Sequence, residues 1–429
     1  MDKLEGSARS PAAARLFAVA LADPRRRRSL AIGLEGLLAA AVVIALTVDL
    51  WRFHAVGYLP QPFLYDLNYP LMGLYDTAYW ANNAGAYDIG KNIYPPLSFV
   101  FLRLTTVHRC YRETALLGRD CDLAVRWVIL GFYIANVVLM WRCFRRLDPA
   151  TAAPRTIAMT LGLPMLYGLE CANLIIVAFT FFVLGYAGAR RPGPLRWLAL
   201  GLAINFKPYL LVLLAPAAVR RNWRWLSACA LAAGGVYAVT FAVQHGGSPF
   251  ELTRNLTLYA VNVNHKYWSD LYYGTSYWPL IRFMSAQFLR LGLSSSHAGD
   301  AWRAVFTLLI FGAQIGAVTC LIGGALRPAE VNPHRFAAMV VAIVLTTIAT
   351  GQSGYVQIFL FFLIFLEPGR GLVRIVILAC VYLLSIPADY VLAPVIDTPA
   401  WSWLGGRPVQ AHFGISLGQL IRPAVLMVI

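Results

Sequence analysis

Long apolar stretches separated by clusters of arginine constrain this chain more than any other feature. About 20 apolar residues cross a bilayer core as a helix, and basic residues collect in the cytoplasmic connections. The block Arg25, Arg26, Arg27, Arg28 stands directly before the apolar run from Ser29 to Leu50. That run is about 22 residues, or about 33 Å as a helix, long enough to span. No small-residue cleavage pattern follows it, so it reads as an uncleaved first span and not as a signal peptide. The arginine block places the N-terminus in the cytoplasm. Hydrophobic residues make up 59% of the 429, and charged residues only 13%. A soluble domain carries nearer a quarter, because its surface must be wetted. The net charge of +16 sits between apolar segments, so it belongs to topology and contact with anionic membrane lipids. Nucleic acid is not an expected partner.

Basic punctuation lays out the spans. The first covers about 30–50 and the second about 126–141, returning to Arg142, Arg145 and Arg146. A hairpin follows, 156–169 and 171–188. Further spans lie at 225–243, 303–326, 336–350, 355–366 and 373–388, with a last apolar segment running to residue 429. Three external loops separate them, at about 51–125, 244–302 and 389–411. The segment 197–218 has arginines on both flanks (Arg196; Arg220 and Arg221). Two arms of about 11 residues each are too short to cross. A re-entrant pair with Asn205, Phe206, Lys207 and Pro208 at its tip is expected, the alternative being a single span. Broken backbone at that depth needs shielding by protein or a water-filled cavity. The fold class is therefore an all-α polytopic membrane protein. A basic segment, 1–29, precedes one transmembrane domain, 30–429, with neither internal repeat nor linker.

The interruptions carry the candidate chemistry. The first external loop holds Asp66, then Asp76 followed by Thr-Ala-Tyr-Trp-Ala, then Tyr94-Pro95-Pro96. Asp76 reads as an N-cap opening a short helix on the membrane surface, where Tyr79 and Trp80 suit the interface. Both aspartates have a bland reading as caps and solvated carboxylates. In this aromatic company a carboxylate can instead serve as general base to an acceptor hydroxyl. In the hairpin, Glu170 and Asn173 interrupt an apolar stretch. At the hairpin tip they are merely wet; deeper, an ionisable residue inside the membrane points to function, with Lys207 as its partner or a phosphate ligand. The second loop offers His265, Lys266 and Trp268, and Tyr355 opens a late span. Arg422 lies about ten residues into the last apolar segment, either paired with an acid or phosphate or snorkelling to the edge.

Of seven cysteines, most lie in apolar spans, where the residue behaves as a small hydrophobe. Cys110 and Cys121 fall in the first external loop and in an oxidising compartment can pair. Zinc spacings are absent. Asp120-Cys121-Asp122 has the letters of a metal-binding DxD motif but lies among arginines at the start of a span. No metal or cofactor is expected.

At these residues the chain resembles the polyprenyl-phosphate-dependent membrane glycosyltransferases of C-type fold, and among them is most similar to glycosyltransferase family 87, which includes mannosyltransferases. The likeness rests on Asp66 or Asp76, Tyr79-Trp80-Ala81, Tyr94-Pro95-Pro96, the stretch Gly168 to Asn173, and Lys207-Pro208. Their order covers most of residues 30–370. The turn Cys171-Ala172-Asn173 departs from the expected Gly-Gln or Arg-Gly-Asn. The resemblance implies a bundle of about 10–13 transmembrane or re-entrant helices in a bacterial inner membrane, with its active site on the external side. It implies transfer of a hexose or pentose, such as mannose, from a polyprenyl-phosphate donor to a glycolipid or glycan acceptor. Asp76, with Asp66 close behind, is the implied base. Lys207, Arg422, His265 and Lys266 are the implied donor-phosphate cations. Tyr79, Trp80, Tyr94, Glu170, Asn173, Trp268 and Tyr355 are the implied substrate contacts. A transporter or flippase of a lipid-linked sugar, and a glycan polymerase or ligase, are the competing readings.

Overall fold

A computed structural model describes residues 24–63, 67–186, 193–266, 296–327, 332–347, 354–367 and 371–429. The helices are α1 Pro24–Val56, α2 Met72–Asn82, α3 Pro96–Thr105, α4 Ala115–Cys121, α5 Ala124–Leu147, α6 Pro149–Thr160, α7 Leu163–Glu170, α8 Ile175–Tyr186 and α9 Pro194–Phe206. After these come α10 Ala215–Val219, α11 Trp223–Gln244, α12 Pro249–Lys266, α13 Ser296–Leu326, α14 Pro333–Thr347, α15 Gln357–Leu366, α16 Leu372–Ser385 and α17 Leu417–Val428. Between α16 and α17 lie two strands, β1 Val391–Ser402 and β2 Arg407–Ser416.

Local sequence sets many of the helix ends. Proline opens α3, α6 and α9, where its missing N–H is no loss. The Asp148 carboxylate accepts from the Ala150 amide at the start of α6, and Thr114 caps α4 through the Leu117 amide. The longest helices are apolar on their outside. Three stretches, Arg28–Val56, Ala124–Leu147 and Trp223–Gln244, are long and apolar enough to cross a membrane, yet only 17–22% of their most apolar windows is buried. Leu37, Ile44, Trp127, Ile134, Leu231 and Val239 all face outward. A soluble protein does not leave faces of that size uncovered, so this is a mainly helical membrane protein. At the centre lies α15, whose ten residues are all buried. Its Phe359 and Phe362 pack edge-on and tilted against Phe179 and Phe182 of α8.

Two buried charge clusters in this apolar body are paired. Glu35 of α1 and Arg155 of α6 make a two-pronged ion pair at 2.8 and 2.9 Å, and the Tyr382 hydroxyl donates to the same carboxylate at 3.1 Å. Arg374, also buried, donates to the Glu367 carbonyl at 3.0 Å and faces the Glu367 carboxylate at 3.7 Å.

The structure differs from the sequence expectations in several places. The Arg25–Arg28 block belongs to α1 itself. The span expected at 156–169 is two helices, α6 and α7, broken at Leu161-Gly162. The region expected as a plain loop, 389–411, is mostly an antiparallel hairpin, pairing Val391 with Ser416, Thr398 with Ala411 and Ser402 with Arg407. Among the described residues this hairpin is the departure from an otherwise helical protein. Alternation was hard to read because Pro394, Pro399 and Pro408 interrupt the strands, and proline normally demotes a strand pattern. In a two-stranded ribbon every residue is at an edge, so the missing donors are tolerated.

The hairpin is tied at both ends. At its base Asp389 accepts from Ser416 Oγ at 2.6 Å, the Gly418 amide at 2.8 Å and Arg422 Nη1 at 3.0 Å. At its turn the Trp403 ring lies 4.6 Å from the Arg119 guanidinium and 5.0 Å from that of Arg126, and its indole N–H donates to Asp120 at 3.1 Å. The Trp401 and Trp403 amides donate to Asn68 Oδ1 and the Leu67 carbonyl. The hairpin thus braces the 67–70 loop from behind. Arg422→Met should strip Asp389 of its cation and loosen this base. Faster hydrogen exchange across 391–416, with substrate affinity unchanged, is the expected result.

Candidate active site

Helix α2 is placed by the hairpin tip between α7 and α8. The Leu71 amide donates to the Glu170 carbonyl at 2.9 Å, and Leu71 takes a left-handed conformation, φ 66°. Ala172, in the tip, is also left-handed, φ 46°. The second residue of the helix, Gly73, lies against the tip so closely that a Cβ there would sit 2.7 Å from the Cys171 carbonyl oxygen. A backbone oxygen cannot rotate away. Gly73→Ala is therefore expected to push α2 off the tip, costing about 1–3 kcal/mol, readable by thermal unfolding, together with loss of activity.

This docking corrects the position of Asp76. The helix begins at Met72, not at Asp76, because the Leu71 hydrogen bond and the Gly73 contact fix its start. Asp76 therefore lies in the second turn. Its side chain is not spent on capping and makes no hydrogen bond with a described residue.

Asp76 opens into a cavity of about 430 Å³, within the size range of small-molecule sites. Asp76, Tyr94, Glu170, Asn173, Lys207 and Tyr355 are all on its wall. Asp76 still meets solvent in the open cavity, and partial desolvation by the surrounding protein raises its carboxyl above the ordinary carboxylate range. Among the described residues the buried Oε2 of Glu170 has no hydrogen-bond partner.

The Lys-Pro break brings in the cation. Helix α9 ends at Phe206, Lys207 is extended (φ −139°, ψ 95°), and a 3-10 helix, Pro208–Leu214, follows before α10. The break falls within the expected tip, 205–208. Lys207 is 8% exposed and makes no ion pair with a described residue. Its ammonium lies 4.5 Å from the Tyr94 ring centroid and 3.4 Å from the Tyr94 hydroxyl.

The other expected residues are placed differently. Tyr79 and Trp80 are half-buried against the core and are not on the cavity wall. Trp80 lies instead beneath Gly90, where an added Cβ would come within 2.7 Å of its ring. Arg422 is also not on the wall, being buried in the pair with Asp389. Asp66 and Trp268 lie outside the described residues, as do the side chains of His265 and Lys266 at the end of α12. Cys110 and Cys121 are joined by a disulfide. The Asp122 carboxylate accepts from the amides of Val107, Ala124 and Val125 and from the Tyr111 hydroxyl. It is a helix cap, which removes the DxD reading, and among the described residues no group of three or more metal-ligating side chains occurs.

Lys91 is a wall residue that the sequence reading missed. It is exposed, with a left-handed backbone of φ 48°. The Gly90-Lys91-Asn92 triplet is a turn signal, but nothing in it says which wall the turn joins. Asn92 is secured by Asn255, which donates to its carbonyl at 3.0 Å. No protein-family model, curated protein or solved structure matches the chain.

Proposed function

We propose that the protein is a polytopic membrane glycosyltransferase that moves a sugar from a polyprenyl-phosphate donor to a glycolipid or glycan hydroxyl on the outer face of a bacterial inner membrane. One observation carries this reading: a carboxyl without a hydrogen-bond partner among the described residues, Asp76, and a buried ammonium free of any described acid, Lys207, line one cavity. Asp76 takes the proton of the acceptor hydroxyl. The acceptor oxygen forms a bond to the anomeric carbon as the bond from that carbon to the phosphate oxygen breaks. The polyprenyl phosphate leaves with the electron pair, toward Lys207. Electrostatic stabilisation of such developing charge is commonly the largest catalytic contribution. The single displacement inverts the anomeric centre. Glu170 and Asn173 on the same wall suit the sugar hydroxyls.

The test is transfer from labelled polyprenyl-phosphate sugars by reconstituted protein, comparing wild type with Asp76→Asn and Asp66→Asn. Loss in Asp76→Asn with retention in Asp66→Asn is expected. Full transfer by Asp76→Asn removes Asp76 as the base, and absence of transfer from every such donor removes the reading.

A further inference from the structure

The Asn173 side-chain carbonyl accepts from the Ile175 amide at 3.0 Å at the start of α8. This cap fixes which way the amide faces. Its Nδ2 group therefore points at two tyrosines, donating to the hydroxyl oxygen of Tyr94 at 3.3 Å and of Tyr355 at 3.1 Å. The Tyr94 oxygen takes a second hydrogen bond, from the Lys207 ammonium at 3.4 Å. An amide NH2 and an ammonium donate and do not accept. The phenolic protons of Tyr94 and Tyr355 must then point elsewhere, and neither finds an acceptor among the described residues. Nearby on the same wall, the buried Tyr209 hydroxyl also has no partner among the described residues. Burial holds the Tyr94 proton on, well above the usual phenol range. This corner of the cavity thus presents phenolic protons and the lysine ammonium, while the Asn173 side-chain oxygen beside them is already engaged.

Donors with no acceptor in a buried corner are costly unless a ligand supplies one. We propose that Lys207, Tyr94 and Tyr355 together form a phosphate site in which both phenols donate to phosphate oxygens beside the lysine. The arrangement assigns charge to Lys207 and geometry to the phenols, since a lysine alone is a point charge. The assignment of that phosphate to a polyprenyl monoester rests on the glycosyltransferase reading. The site itself rests on the hydrogen-bond directions.

Binding separates the two. Protein in nanodiscs is titrated with farnesyl monophosphate, farnesol and inorganic phosphate, with no sugar or acceptor present. Tyr94→Phe keeps the ring beneath the ammonium and removes only the hydroxyl. A hydrogen bond to a charged group is worth enough that Tyr94→Phe should bind farnesyl phosphate about tenfold more weakly. Tyr355→Phe should also weaken it, and the double variant more than either. Farnesol affinity should stay constant throughout. Inorganic phosphate showing the same dependence assigns recognition to the anion alone; dependence seen only with the farnesyl ester assigns it to the lipid phosphate. The proposal falls if Tyr94→Phe holds farnesyl phosphate as tightly as wild type does. It falls too if farnesol weakens in parallel, because the phenol then only shapes the cavity, or if wild type holds the phosphate no more tightly than the alcohol. A chain that binds the phosphate but transfers no sugar keeps the site and loses the proposed activity.

Discussion

Asp76→Asn is expected to lower sugar transfer by about 10²- to 10⁴-fold, the range a positioned general base contributes. The amide is nearly isosteric, so substrate binding should change little and the loss should fall on kcat. The pH dependence has a definite sign. In the proposed mechanism transfer needs the ionised carboxylate, and partial desolvation raises the Asp76 pKa above its ordinary 3.8. Activity should therefore fall on the acid side at a pH higher than an exposed aspartate gives, and be full above it. Stability should move oppositely. In the window between the unfolded and the raised folded pKa the native state binds more protons than the unfolded state, so this group's contribution to stability declines as pH rises through it. At neutral pH Asp76→Asn removes a charge that is only partly desolvated and still meets solvent, so the unfolding temperature should not fall. A variant less active but no less stable is the pattern of a functional residue that the fold does not need. A variant that loses activity and stability together would assign Asp76 to structure.

Arg155→Met should destabilise the fold by about 3–5 kcal/mol, because it leaves a buried acid without its cation. Glu35 is 3% exposed, and after the substitution only the Tyr382 hydroxyl would remain on its carboxylate. Arg155 Nη1 also holds the Phe365 carbonyl at the end of α15 at 3.0 Å, so that carbonyl loses its side-chain donor as well. Replacing both partners, Glu35→Leu with Arg155→Met, should recover most of the loss, since an apolar pair of similar volume does not have to be desolvated. Thermal unfolding of the two single variants and the double variant in detergent measures the coupling. Additive losses would mean that the pair does not hold α1 to α6.

Much of the candidate site was legible at the level of which segments matter. Charged and amide residues that interrupt apolar runs are costly there, so Glu170, Asn173 and Lys207 stand out in a sequence. All three line the cavity. Their partners were not legible. Lys207 meets Tyr94, which lies 113 residues earlier, and Asn173 meets Tyr355, 182 residues later. No local pattern encodes such pairs. Arg422 shows the reverse failure. An arginine in an apolar segment signals that a partner exists, but its sequence does not distinguish a ligand phosphate from Asp389. The choice depends on a hairpin that returns residue 422 to residue 389, and prolines hid that hairpin.

The sequence alone determined the solvent. Apolar runs longer than a soluble core needs, punctuated by arginine, dictate helices with greasy outer faces, because in lipid each backbone polar group must be satisfied within its own helix. It also dictated where those helices break, since proline after Lys207 cannot continue one. Tertiary structure decided what the breaks face. Asp76 reads as a cap from its neighbours, and became a cavity carboxyl only because Gly73 lets α2 lie on the Cys171 carbonyl and start four residues earlier. The physical reason is range. Helix formation and helix interruption are settled by a few consecutive residues, whereas a cavity exists only where segments far apart in the chain leave space between them.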